Sequence, residues 1–287
     1  MSIASESMKQ QILPPLDAHD GLPLYRRQWP QPEAGRSILL VHGLGEHSGR
    51  YQSLARWFWQ RGFAVQAYDQ RGHGRSGGAR GGLPRPDDLL RDLGRVYADF
   101  AISQRTPPLL LGHSMGGLVC TRAVLDHRIE PAGLILSAPA LQSRVGPGLQ
   151  QLASWLARIA PGLPLGQGLP RQFLSHEPSV APAVKADPYC HGRITPALAD
   201  FIFKAGSACR RDAAKLSVRS LLLIAGEDRL VDPAGSQAFA EGAPAACLQS
   251  EIFPVAYHEL FNEIASIREP VLAALARWLE AGMWRPA

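Results

Sequence analysis

Residues 108–125 read PLLLGHSMGGLVCTRAVL, and this stretch decides the fold. The apolar run Pro108–Leu111 stops at Gly112, and beyond it Leu118, Val119, Ala123, Val124 and Leu125 recur at helical spacing. The pattern is strand, sharp turn, helix, with Ser114 at the turn inside a Gly-x-Ser-x-Gly motif. Such a turn brings the backbone so close that Gly112 and Gly116 have no room for side chains, and Gly117 eases helix packing. The strain leaves the Ser114 hydroxyl exposed at a helix N-terminus, where free N–H groups and the helix dipole favour developing negative charge. A second match, Gly74–Gly78 (GRSGG), places Ser76 in a polar loop rich in Gly and Arg. With no strand before it and no helix after it, Ser76 reads as a turn serine.

Working outward, further short apolar runs mark strands at Ser37–Val41, Gly62–Tyr68, Gly133–Ser137, Ser220–Ala225 and Gln249–Phe253. Most are continuously apolar, as in strands buried on both faces. A pair near Leu24–Trp29 adds antiparallel edge strands. Helical patterns at Arg50–Arg61, Asp87–Gln104, Met115–His127, Ala234–Glu241 and Ile267–Glu280 separate them, and this alternation predicts a parallel sheet covered by helices. From about Ala140 to Arg219 the strands stop. Pro and Gly punctuate that region, and Leu149, Leu152, Leu156 and Ile159 form one stripe with Trp155 nearby. An all-helical insertion between two core strands reads as a lid over the sheet edge where open α/β sheets bind ligands. The alternative is a helix packed on the core.

A serine hydroxyl needs a histidine held in one tautomer by a carboxylate. In a strand–turn–helix site the chain order is Ser, acid, His. Of nine histidines only His258 follows Ser220–Ala225. The loop after that strand offers Glu227, Asp228 and Asp232. Asp228, just past the strand, is favoured; Asp232 precedes Pro233 and reads as a helix N-cap, and Glu227 is the weaker competitor. The strand Ser37–Val41 runs into His42-Gly43-Leu44-Gly45-Glu46-His47. The Met115 and Leu44 N–H groups are the expected oxyanion donors. His42 and His47 are possible metal ligands by type, but no third ligand sits at suitable spacing, so no metal is expected.

His42–Tyr51 (HGLGEHSGRY), Asp69–Gly77 (DQRGHGRSG), Gly112–Gly117 (GHSMGG), Gly226–Asp232 (GEDRLVD) and Tyr257–Glu263 (YHELFNE) together resemble the monoacylglycerol lipase and lysophospholipase branch of the α/β-hydrolases, of serine aminopeptidase S33 type. Asp187–Arg193 (DPYCHGR) resembles the segment that closes the lid in that branch. The resemblance runs from about residue 17 to the end. It implies an α/β-hydrolase fold: a mostly parallel sheet of about eight strands flanked by helices, with a helical cap. Residues 17–139 and 219–287 then form the core and 140–218 the cap. It implies Ser114 as nucleophile, Asp228 as acid, His258 as base, Leu44 and Met115 as oxyanion donors, and neither metal nor cofactor. The expected function is a serine carboxylic-ester hydrolase acting on monoacylglycerols through an acyl-enzyme. Alternatives are a lysophospholipase, a short-chain carboxylesterase and an aminopeptidase. Leu149, Leu152, Trp155 and Leu156 are the expected acyl-chain contacts in the cap.

Composition agrees with a globular enzyme: 287 residues, 46% hydrophobic and 19% charged. Four scattered cysteines without CxxC spacing read as reduced, mostly buried thiols. The start, MSIASESMKQQILPPLDAHDG, has no apolar core, and no run approaches the length of a membrane span, so a cytoplasmic enzyme is expected. The net charge of +5 comes from dispersed arginines, which argues against nucleic-acid binding. It suits transient contact of the cap with an anionic membrane surface.

Overall fold

The structure is a computed structural model and describes residues 8–32, 34–282 and 284. The chain opens with an antiparallel pair, β1 (Gln11–Asp17) and β2 (Pro23–Trp29). It continues through β3 (Arg36–Val41), α1 (Gln52–Trp59), β4 (Phe63–Tyr68), α2 (Asp88–Ile102), β5 (Leu109–His113), α3 (Met115–Leu125) and β6 (Leu134–Ser137). An insertion follows: α4 (Pro147–Ile159), β7 (Leu165–Gly166), α5 (Val180–Ala186), β8 (Arg193–Ile194) and α6 (Pro196–Arg211). The chain then completes the sheet with β9 (Ser220–Ala225), α7 (Pro233–Gly242), β10 (Leu248–Phe253) and α8 (Ala265–Glu280).

Among the described residues the main sheet has eight strands in the order β1-β2-β4-β3-β5-β6-β9-β10. The pairs β1–β2 and β2–β4 are antiparallel and the rest are parallel. The central strands β5, β6 and β9 are buried end to end because helices cover both faces. One face packs Leu54, Phe58, Val271, Leu275 and Trp278 from α1 and α8. The other packs Leu93, Val96 and Phe100 from α2, Leu118 and Val119 from α3, and Phe239 from α7. Each such side chain stabilises the fold by roughly 1.5–3 kcal/mol relative to exposure. The edge strands look different: β1 carries Pro14 and Pro15 and is largely exposed, and the β10 pattern LQSEIF is half polar. Proline and charge at an edge discourage pairing with another chain.

Four details depart from the sequence reading. The strand β5 runs two residues past Leu111, because Gly112 and His113 pair with Leu136 and Ser137 of β6. A glycine suggests a break only where no neighbouring strand takes up its backbone groups. The sheet begins at Gln11, ahead of residue 17, because β1 pairs with β2. The insertion is not all helical, since β7 and β8 form a short antiparallel ladder, Leu165↔Ile194 and Gly166↔Arg193. Two-residue strands carry no periodicity to read. Finally, α6 is as much core as cap: Leu198, Phe201, Ala205 and Cys209 join the cluster formed by α2, α3 and α7, and α4 rides on α6.

The parallel strands deliver four loops to one rim of the sheet, which follow β3, β5, β9 and β10 and hold residues 42–47, Ser114, Asp228 and His258. Ligands of open α/β sheets bind at that rim.

Candidate active site

Ser114 joins β5 to α3 with φ 53° and ψ −122°, left-handed backbone that a residue with a Cβ adopts at a cost of about 1–3 kcal/mol. The surroundings hold it there. Its N–H donates to the Ser137 carbonyl (3.0 Å), and its carbonyl accepts from Leu118 (3.0 Å) and Ala140 (2.9 Å). A Cβ on Gly112 would stand 2.6 Å from the Gly116 carbonyl oxygen, and one on Gly116 would collide with the carbonyls of Val41 and His42. The two glycines therefore set how closely α3 approaches the sheet.

Asp228 sits in the loop after β9, 2% exposed. Its Oδ1 accepts the N–H groups of Leu230 (2.8 Å) and Val231 (2.9 Å), which fixes the carboxylate plane. Its Oδ2 lies 2.6 Å from His258 Nδ1, and His258 Nε2 lies 2.8 Å from Ser114 Oγ. An ionised carboxylate only accepts, so Nδ1 carries the proton and the Nε2 lone pair faces the serine hydroxyl. Burial alone would disfavour charged His258, but the Asp228 carboxylate outweighs it and the imidazole pKa lies above its ordinary value. Burial likewise works against ionised Asp228, yet His258 and the Val231 and Leu230 N–H groups hold its carboxyl below the usual range. The competitors stand elsewhere: Asp232 caps α7 by accepting from Ala234 N–H (3.1 Å), and Glu227 is exposed. Ser76 is a buried turn serine that accepts the Tyr25 N–H and donates to the Asp69 carbonyl.

The loop after β3 is tied to the loop of His258 by a buried network. Glu46 Oε1 accepts the Gly43 N–H (2.6 Å) and the Tyr51 hydroxyl (2.8 Å). Arg50 donates to Glu46 Oε2 (2.8 Å) and bidentately to Glu259 (2.6 and 2.7 Å). Burial opposes the Glu46 charge, but Arg50, His113, His42 and the Gly43 N–H together more than offset it, and the carboxyl is pulled down to about 2. His113 packs 4.7 Å from the His258 ring, and burial pushes its pKa down to about 4, so it stays neutral beside His258. Sequence reasoning passed over Glu46, Arg50 and Glu259. The i, i+4 spacing of the first two was a readable signal; their link to Glu259 spans 209 positions and was not.

Residues 32–265 match the serine aminopeptidase S33 family. The chain belongs to that family. It is thus a serine hydrolase of the α/β-hydrolase fold. A monoacylglycerol lipase of Mycolicibacterium smegmatis is 34% identical over 79% of this chain and 82% of its own length. A monoglyceride lipase of Rattus norvegicus is 30% identical over 96% of this chain and 92% of its own. The crystal structure of Paleococcus ferrophilus monoacylglycerol lipase superposes with a TM-score of 0.82 at 33% identity, covering 89% of this chain and 98% of that one.

In this S33 hydrolase the pocket over Ser114 and His258 is lined by Gly43, Leu44 and Gly45 from the loop after β3 and by Leu230 from the loop after β9. The insertion contributes Gln167, Leu169, Arg171, Leu174, Val184 and His191. Leu44 lines this pocket with Ser114, and Met115 follows Ser114 as the first residue of α3. Leu149, Leu152, Trp155 and Leu156 do not line this pocket, which corrects their expected placement. Leu149, Leu152 and Trp155 are 64%, 48% and 56% exposed on the outer side of α4. Periodicity reveals that a helix has an apolar stripe, not what the stripe faces. The insertion residues that do line the pocket lie in short or irregular segments, Val184 in the seven-residue α5, too short for a periodicity to mark them.

Among the described residues, two side-chain groups have metal-ligand types close together. The cap-closing segment brings Asp187 and Cys190 to within 4.8 Å of His47, a proximity that sequence spacing did not reveal. His47 is already engaged there: Nε2 pairs with Asp187 (2.8 Å) and Nδ1 accepts from Gly49 N–H (3.1 Å), an arrangement that ties cap to core. In the group His19, Asp20 and Asp88, both aspartates bond to the Arg71 guanidinium, which a cation there would adjoin. The cysteines are free; Cys120 and Cys209 are buried, Cys190 and Cys247 half-buried.

Proposed function

We propose that this chain hydrolyses lipid monoesters, monoacylglycerols foremost, through Ser114, His258 and Asp228 and a covalent acyl-enzyme. His258 Nε2 takes the Ser114 proton as Oγ attacks the ester carbonyl. The N–H groups of Leu44 and Met115 stabilise the oxyanion, about 3 kcal/mol for each donor. His258 then protonates the departing alcohol, and water repeats the cycle on the acyl-enzyme. The observation that carries this reading is the continuous relay Asp228 Oδ2–His258 Nδ1 (2.6 Å) and His258 Nε2–Ser114 Oγ (2.8 Å) on the floor of a pocket walled by leucines. Leu169, Leu174, Val184 and Leu230 suit an acyl chain, with each buried methylene adding about 0.8 kcal/mol. The named activities of the relatives support the same substrate class.

An aminopeptidase would need a free carboxylate to hold the substrate amine. The pocket carboxylates Glu46 and Glu259 are both saturated by Arg50, which argues against that reading. A lysophospholipid is the second reading, favoured by Arg171, which lines the pocket and has no ion-pair partner among the described residues. The cap also suits a lipid surface: Leu149, Leu152, Trp155, Ile159, Leu163 and Leu165 are all exposed. No described helix is long and apolar enough to cross a membrane, so contact would be peripheral.

The test is hydrolysis of p-nitrophenyl esters of graded chain length, then of monoacylglycerols against lysophosphatidylcholine, by wild type and Ser114→Ala. Loss of hydrolysis in the variant and a preference for long-chain monoacylglycerols are expected. Equal rates of the two proteins end the catalytic claim.

A further inference from the structure

Both chain neighbours of His258 are held by groups outside their immediate turn. The Glu259 N–H donates to the Leu174 carbonyl of the insertion at 2.7 Å. The Tyr257 N–H donates to Glu263 Oε1 at 2.7 Å. Glu263 has no exposed surface and sits just ahead of α8. Its carboxylate also receives His176 Nδ1 (2.9 Å) on Oε1, and the His176 N–H (2.9 Å) and Ser175 hydroxyl (3.2 Å) on Oε2. The His176 ring stacks on Tyr257 with centroids 3.7 Å apart and planes 23° from parallel.

A buried carboxylate is tolerable only when its lone pairs are filled. Here the donors come from two segments far apart in the chain, the histidine loop and residues 174–176 of the cap. Undocking 174–176 would leave Glu263 only the N–H groups of Tyr257 and Ile264, and would free the Glu259 N–H as well. The same contacts thus seat the cap and hold the backbone on both sides of the imidazole.

We propose that Glu263 is a positioning residue coupling the cap to the catalytic base: segment 174–176 must be docked on it for the loop to hold His258 against Ser114. This rests on the reading of His258 as base. A cap that serves only as a roof would matter for long acyl chains alone. A coupled cap matters for every ester, including p-nitrophenyl acetate, whose acetyl group is too small to need the cap.

The experiment measures kcat and KM on p-nitrophenyl acetate and octanoate for wild type, His176→Ala, His176→Asn, Glu263→Gln and Ser114→Ala. His176→Ala is expected to lower kcat on the acetate about tenfold with KM within about twofold, since small misplacements of a reacting group are costly. His176→Asn restores most of that loss, because its amide N–H can stand where Nδ1–H stood. Glu263→Gln falls at least as far as His176→Ala. Wild-type kcat on the acetate in His176→Ala, with KM raised only on the octanoate, overturns the coupling. So does a His176→Asn enzyme no better than His176→Ala. Should circular dichroism show Glu263→Gln unfolded, the two His176 variants still decide. Acetate hydrolysis that survives Ser114→Ala defeats the triad reading and the coupling with it. Hydrolysis lost in Ser114→Ala but intact in His176→Ala defeats the coupling alone.

Discussion

Asp228 and burial pull the His258 pKa in opposite directions, and Asp228 wins. The proposed base works only as neutral imidazole, so activity falls as pH falls through its pKa. Because that pKa is raised, the acid limb of kcat/KM is expected above the ordinary histidine value of about 6.5, read from a pH profile with p-nitrophenyl butyrate. In Asp228→Asn the carboxylate is gone and only the weaker pull of Glu259 and Glu46 opposes burial, so the limb moves to lower pH. The amide can also donate to Nδ1 and stabilise the wrong tautomer, which is expected to cost about 10⁴-fold in kcat. An unchanged limb would show that Asp228 does not set the base. Arg50 is the neighbouring case. Replacing it by Met leaves Glu46 and Glu259 buried without their cation, which is expected to cost about 3–5 kcal/mol in urea unfolding. A loss under about 1 kcal/mol would place this network among ordinary surface pairs.

The elements show which parts of a sequence carry their own structure. β6 and β9 were legible because a strand covered on both faces has to be apolar throughout. The turn at Ser114 was legible because only glycine fits at Gly112 and Gly116. Gly116→Ala tests that directly: the new methyl would meet the carbonyls of Val41 and His42, backbone that cannot swing aside. A stability loss of about 2 kcal/mol or more is expected by chemical denaturation, with hydrolysis lost as α3 shifts. Wild-type stability would mean that α3 has slack there. The insertion was less legible. α4 and α6 both carry apolar spacing, yet α6 buries Leu198 and Phe201 in the core while α4 buries nothing fully. Spacing alone could not assign those faces, because the partner of a helix is a tertiary fact. The proposed triad was readable for the opposite reason: each member stands in the loop that follows a parallel strand, so strand order alone brings the three to one rim.

At the scale of the whole molecule, the outer face of α4 is the remaining anomaly. Leu152, Trp155 and Ile159 are 48%, 56% and 59% exposed, a costly display for a chain that met only water. They belong to the insertion that also supplies Leu169 and Leu174 to the pocket. The net charge of +5 adds attraction toward anionic lipid. Leu152→Ser with Trp155→Ser removes apolar surface worth about 1.5–3 kcal/mol for each side chain that becomes fully buried. Binding to phosphatidylglycerol-containing vesicles, followed by co-sedimentation, is therefore expected to weaken at least tenfold. Hydrolysis of dissolved p-nitrophenyl acetate should be unchanged, because neither side chain lines the pocket. Vesicle binding equal to wild type would remove the lipid surface as the reason for this face. A matching loss on the dissolved ester would show that α4 supports the site rather than the surface.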